Sequence, residues 1–290
     1  SFASCLSIIE FLPSSLYAWG ISWLRFSACC RALVDEAHEF SKGKRTLEAV
    51  NSFPHAQVRI GFTATPPKDK VALYAIEGAL GSVIHDSLSK ELIDEGFLAR
   101  PTIKIIPCTT HNQDVIHNVY ARSYLEIYDD NIVNNKVRND YIRDLVESFP
   151  KGSKILILTK ALQHAENLNQ LIPHAYKLEG KNSIMERQDA KERFVNSEDK
   201  EILIGTKILQ TGIDIPQITH FINARGLKSE IATIQALGRA LRIFEGKDTV
   251  EVFDFFDNAK YLSKHSKERM KSYKAQGHEM VIQEEIIYET

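Results

Sequence analysis

Short apolar runs recur along the chain, each followed by a longer stretch with helical spacing. The runs 31–35 (RALVD), 57–62 (QVRIGF), 102–107 (TIKIIP), 154–159 (KILILT), 201–205 (EILIG), 218–223 (ITHFIN) and 249–255 (TVEVFDF) are rich in β-branched residues. They are apolar at successive positions rather than alternate ones, as strands of a parallel sheet covered on both faces are. The intervening stretches predict helices over 44–52, 68–79, 116–148, 161–171, 184–196, 229–242 and 258–275. Alternation of this kind predicts an α/β architecture. "DEGFLARPTIKII" (94–106) passes from a helix end through Gly96 and Pro101 into a strand, which sets a boundary near 95–110. Residues 1–100 and 101–285 are therefore expected to form two domains.

The 290 residues are 43% hydrophobic, enough for one large core or two ordinary ones. A net charge of −2 leaves any nucleic-acid binding to local patches. The cysteines are Cys5, Cys29, Cys30 and Cys108, and the adjacent pair suits neither a zinc knuckle nor a redox motif. A reduced, cytoplasmic protein is the simplest expectation. The chain opens on Ser1, and its first thirty residues are unlike the rest, holding both tryptophans and few charges. The uncharged run from Phe11 to Leu24 contains Pro13 and is short for a membrane span, so no membrane association is expected.

Four segments carry candidate chemistry. "LVDEAH" (33–38) places Asp35 and Glu36 at the tip of a buried strand, where α/β sheets bind ligands. One carboxylate can hold Mg²⁺ through water while its neighbour orients an attacking water. As a bland alternative, the pair is a solvated helix start. "GFTATPP" (61–67) sets Thr63, Ala64 and Thr65 at a second strand tip. "ILIGTKILQTGIDIP" (202–216) offers Thr206 after a strand, then Gly212, which lets the backbone approach a ligand, and Asp214, a candidate acceptor for a ribose hydroxyl. "QALGRALR" (235–242) spaces Gln235, Gly238, Arg239 and Arg242 on one helical face, with a glycine that a close neighbour would explain. Two guanidiniums one turn apart suit phosphate oxygens, although a solvated helix face explains them equally well.

Taken in order, these segments resemble the superfamily 2 DEAD/DEAH-box helicases over about residues 31–257. "LKSEIATIQALGRALR" and "YLSKHSKERMKSYKAQG" look like the phage UvsW-type DNA repair and recombination helicases. The resemblance implies tandem RecA-like parallel sheets covered by helices, the first domain incomplete and the second complete. It implies a motor that couples ATP hydrolysis between the two domains to movement on, or unwinding of, DNA. Asp35 would bind Mg²⁺ and Glu36 would act on the water. His38 and Thr63–Thr65 would link nucleotide state to nucleic-acid grip. Thr206 would touch the nucleic-acid backbone, and Gly212 and Asp214 the nucleotide. Arg239 and Arg242 would be arginine fingers, with Gln235 in the same network. The implied cofactors are ATP and Mg²⁺, and the implied partner is single-stranded or branched DNA, with RNA as an alternative. A monomer is expected.

The family's phosphate loop, G-x-x-x-x-G-K-[ST], is not found in these residues. "SKGKRT" (41–46), "EGKNS" (179–183) and "EGKDT" (245–249) lack the first glycine at the right spacing. The loop is expected upstream of Ser1, and this chain by itself is expected not to turn over ATP. A non-hydrolysing RecA-like module that holds nucleic acid or a protein partner is the rival reading. Lys260, Lys264, Lys267, Lys271 and Lys274 share one stripe, which is either a phosphate track or a solvated face. Tyr261 and Tyr273 are candidates for base stacking, against a simpler role in the core.

Overall fold

The computed structural model describes residues 24–27, 31–35, 37–38, 56, 58–64, 66–67, 69–117, 120–206 and 215–288. The chain divides between Asp86 and Ser87 into two compact units.

In the first unit, β1 (Leu24–Ser27), β2 (Arg31–Val34) and β3 (Val58–Gly61) form a three-stranded sheet in that order. β2 and β3 are parallel, as expected, but β1 runs antiparallel to β2. β1 belongs to the atypical opening stretch and pairs the edge of β2 that would otherwise be open. Helix α1 (Lys70–Leu80) follows β3, capped by the Asp69 carboxylate, which accepts the Ala72 N–H at 2.9 Å. A Cβ on Gly61 would come within 2.4 Å of Leu80 Cδ1 and 2.9 Å of Ala37 Cβ, so close packing at the strand tip demands glycine there. The helix expected over 44–52 lies outside the described residues.

The second unit begins with α2 (Ser89–Asp94), β4 (Arg100–Thr110), α3 (Gln113–His117) and α4 (Tyr124–Tyr128). A π turn (Asp129–Val133) leads into α5 (Lys136–Ser148), β5 (Lys154–Leu158), α6 (Leu162–Leu171), β6 (Tyr176–Leu178) and α7 (Ile184–Asn196). Then come β7 (Glu201–Gly205), β8 (His220–Asn223), α8 (Glu230–Ala240), β9 (Thr249–Asn258), α9 (Leu262–Ala275), β10 (Met280–Ile282) and β11 (Ile286–Tyr288). Eight strands form one sheet, ordered β10-β4-β9-β8-β5-β7-β6, with β11 pairing further along β4. Every pairing is parallel. β5 and β7 are buried at every position. Ile155, Ile157, Ile202 and Ile204 feed one core, while Leu156, Leu158 and Leu203 feed the core on the opposite face. Each such side chain contributes about 1.5–3 kcal/mol through burial. Among the described residues, no helix is long and apolar enough to cross a membrane.

Two expectations are corrected. The division falls ahead of the boundary drawn at 100/101, because residues 87–100 are tied to the second unit. The Ala99 N–H donates to Leu241 O at 2.8 Å and the Arg100 N–H to Asp248 O at 2.9 Å. That unit also runs past 285, since β11 pairs β4. The long helix expected over 116–148 is broken into pieces, because Ser123 and Asn135 cap new starts, accepting the N–H groups of Glu126 and Arg138.

Buried polar groups fasten the helices to β8 and β9. The Asp254 carboxylate accepts from Arg269 Nε (3.1 Å), Tyr273 O–H (2.7 Å) and Asn223 Nδ2 (3.0 Å). Asp257 Oδ1 accepts from Arg138 Nε at 2.9 Å, both side chains being fully buried. Beside them His164 is buried, with Nε2 2.9 Å from Asn139 Oδ1. Burial, and then the Arg138 charge, hold His164 well below the usual histidine range. Burial also depresses His220, His265 and His278.

These histidines take up protons less readily in the fold than in the unfolded chain, where protonation sets in below about pH 6.5. Their contribution is therefore present above that pH and lost as pH falls. Urea unfolding should show the midpoint dropping between pH 7 and pH 5. His164→Gln should flatten that slope by up to one proton, about 1.4 kcal/mol per pH unit. An unchanged slope in the variant would mean that His164 titrates normally.

Candidate functional site

In the first unit the candidate residues gather at the tips of β2 and β3. The Ala37 N–H donates to Phe62 O and the Phe62 N–H to Val34 O, both at 2.8 Å, which locks the two tips together. Asp35, just past β2, is exposed. Its carboxylate stands where water can reach it, as an ion held through water requires. His38 is buried, with Nδ1 3.0 Å from Thr63 Oγ1. Two segments picked out separately in the sequence thus meet in one hydrogen bond. Ala64 follows as an exposed bend. Glu36 and Thr65 lie outside the described residues.

In the second unit the parallel order puts the C-terminal tips of β9, β8, β5 and β7 along one edge of the sheet. Thr206 follows β7 directly and is half-buried. The Thr159 N–H at the tip of β5 donates to Gly205 O at 3.0 Å. Gly212 and Asp214 lie outside the described residues, and the chain resumes at the buried Ile215.

Helix α8 starts at Ser229, whose Oγ accepts the Ala232 N–H at 3.2 Å. Gln235 and Arg239 stand one turn apart on it, both half-buried. Arg242 does not share their helical face, contrary to expectation. The helix ends at Ala240, and the exposed Arg242 lies in an antiparallel bridge with Leu98. Lys247 caps this end. Its ammonium donates to Ala240 O at 2.7 Å, Arg242 O at 2.9 Å and Pro216 O at 2.6 Å. Carbonyls left without a helical donor thereby find one. The close neighbour expected at Gly238 is also absent among the described residues, since a Cβ there meets nothing within 4 Å.

Lys247 is the residue that reading the sequence missed. It is buried, and burial pulls its ammonium down to about 8. Its three N–H groups tie the segment after T-G-I-D to the arginine turn. The available signal was "EGKDT", which reads as a rejected phosphate loop rather than as a lysine cap. Of the other decoys, Lys181 pairs with Glu179 at 2.8 Å, and SKGKRT (41–46) lies outside the described residues.

On α9 the lysines Lys264, Lys267, Lys271 and Lys274 are exposed. Leu262, Arg269 and Tyr273 are buried on the opposite face. Lys260 is exposed too, but it precedes the helix. Lys271 pairs with Glu268 at 2.9 Å. Tyr273, a stacking candidate, is instead fully buried. Cys108 sits inside β4, where burial pushes its thiol up.

Comparison with known proteins fits this geometry. Residues 137–244, from α5 to just past α8, match the family described as helicase conserved C-terminal domain. The chain is 22% identical to the ATP-dependent DNA helicase uvsW of Enterobacteria phage T4 over 269 residues, covering 86% of this chain and 53% of that protein. It therefore spans about half the length of that curated relative. The structure of T4 UvsW superposes with a TM-score of 0.53 at 17% identity, covering 89% of this chain and 53% of that one. A fragment of a putative HsdR subunit of a type I restriction enzyme from Vibrio vulnificus YJ016 gives 0.61 at 18% identity, covering 81% of this chain and 45% of the other. At these identities the structural likeness is one of fold.

Lys247→Met keeps the apolar stem but leaves three backbone carbonyls without their donor. Urea unfolding should show a loss of about 1–3 kcal/mol. Wild-type stability in this variant would remove the capping role.

Proposed function

Because the chain belongs to the superfamily 2 helicases, we propose that it is part of an ATP-dependent DNA translocase or helicase motor. The observation that carries this reading is the arginine turn. Arg239 and Arg242 are set at the end of α8 by a single buried cap, in the region that matches the helicase C-terminal domain. Bound ATP with Mg²⁺ supplies the phosphoryl group whose transfer to water drives the motor. Each unit has residues that suit that group: the exposed Asp35 at a strand tip of the first, and Arg239 and Arg242 at the end of α8 in the second. Asp35 would hold the ion through water, and Glu36 would orient and deprotonate the attacking water. Asp214 and Gly212 would receive the nucleotide. Arg239 and Arg242, with Gln235, would stabilise charge on the phosphoryl oxygens. The His38–Thr63 hydrogen bond would pass the state of the carboxylate tip to the neighbouring strand. Thr206 and the lysines Lys260, Lys264 and Lys267 would hold the nucleic-acid backbone, which gives no base preference.

A second reading, a nucleic-acid-binding module that does not hydrolyse ATP, is favoured by Lys181 and Lys247. Each follows a glycine, as a phosphate-loop lysine does, yet each is engaged by protein groups.

The deciding experiment is ATP turnover by this chain with and without single-stranded and branched DNA, using Glu36→Gln as control. DNA-stimulated turnover that is lost in Glu36→Gln, with ATP binding kept, supports the motor and overturns the expectation that this chain lacks its phosphate loop. In that case Arg242→Ala should cut the rate about a thousandfold or more while affinity changes little. DNA binding without turnover fits both a motor piece that needs a phosphate loop and the second reading, and turnover by a version of the chain extended to carry such a loop decides for the motor. RNA bound in preference to DNA shifts the substrate class. Charge reversal at Lys264 and Lys267 should weaken binding uniformly across sequences. Binding to neither nucleic acid would sink both readings.

A further inference from the structure

The strand-tip edge of the second unit carries an aromatic cluster that the motor roles above leave unused. Lys160 follows Thr159 at the tip of β5 and is exposed. Its Nζ lies 4.7 Å from the ring centre of Tyr128 and 5.1 Å from that of Tyr124. Tyr124 meets Tyr261 edge-on, with centroids 6.2 Å apart and planes at 80°, and meets His265 at 5.4 Å.

The members of this cluster differ in burial. Tyr128 belongs to the core, and its O–H donates to Arg225 O at 2.9 Å. Tyr124 packs against that core half-buried. Tyr261 stays outside it with 39% of its surface exposed. Its backbone is also unusual, with φ 66° and ψ −46°. The Leu262 N–H donates to Lys260 O at 2.9 Å across it, which closes a γ-turn of the strained hand. A non-glycine residue there costs of order 1–3 kcal/mol. Glycine would relieve that cost, and the core gains little from the ring.

We propose that Tyr261 and Lys160 form a single-nucleotide step for single-stranded nucleic acid, the tyrosine ring stacking on a base and the ammonium pairing with a neighbouring phosphate. This rests on the nucleic-acid reading above and deepens it. The sheet order places the step: Tyr261 lies beyond β9, Lys160 beyond β5 and Thr206 beyond β7, all on one edge. Lys260 and Lys264 flank Tyr261, so the ring interrupts a run of phosphate contacts. Alternation of cation and aromatic face is how single strands are held without reading their sequence. Lys160 already sits against two tyrosine faces, which holds its ammonium in place before any ligand arrives.

The test is single-strand binding by this chain, read by anisotropy across a salt series, with an oligonucleotide carrying 2-aminopurine. Tyr261→Gly removes the ring at a φ that glycine adopts freely, so the fold should be kept. It should weaken binding about tenfold, leave the salt slope unchanged and abolish the 2-aminopurine quenching. Tyr261→Phe should restore affinity and quenching. Lys160→Ala should instead lower the salt slope by about one. Wild-type binding that Tyr261→Gly leaves untouched would overturn the step while sparing the nucleic-acid reading. Loss of binding by the wild-type chain itself would overturn both.

Discussion

The Asp254 carboxylate fixes the working edge of the second unit. It takes hydrogen bonds from Asn223 at the end of β8 and from Arg269 and Tyr273 on α9. Arg269 then reaches Leu227 O and Phe255 O, and so holds the loop after β8 as well. Arg138 does the same for α5 by bonding both Asp257 and Ala224 O. Buried ion pairs of this kind add little net stability over a well-packed apolar replacement. They do add geometry, since each charge tolerates only the arrangement that satisfies it, and loss of one partner strands the other.

The two units solve the same problem with different means. In the first, backbone hydrogen bonds between the tips of β2 and β3 set the carboxylate segment, and Gly61 lets Ala37 and Leu80 close over the strand. In the second, one lysine ammonium gathers three carbonyls just past the end of a helix. In both, the candidate residue lies one or two positions beyond a regular element, where the backbone is still determined by its neighbours.

Strands announced themselves in the sequence because a doubly covered parallel strand leaves no ambiguity of face. KILIL and EILIG are pure apolar runs, and the structure buries every position of both. Helix α7 (Ile184–Asn196) likewise falls on the helical stretch predicted over 184–196. β6, β10 and β11 were not legible, being three residues each and defined by their partners. Helix ends were the weakest point. Arg242 shares the periodicity of Gln235 and Arg239, but periodicity does not show where a helix stops, and this one stops at Ala240. Likewise, Tyr261 and Tyr273 are both stacking candidates by residue type, and the structure leaves one partly exposed on a γ-turn and ties the other into the core through Asp254.

The placement of β4 has a consequence for how the chain is made. That strand is fully formed in sequence by Thr110, yet its ladder partners are β9, β10 and β11, all near the far end. During synthesis it emerges with Ile103, Ile105 and Ile106 ready for burial and no strand to receive them. At the usual elongation rate, roughly 140 residues correspond to about 7–30 s of waiting. The β5–β7–β6 and β5–β8 pairings can close within that interval, so the middle of the sheet precedes its edge. A ribosome-bound intermediate would therefore hold β4 unpaired on its β9 side until β9 arrives, the interval in which an open apolar strand invites aggregation.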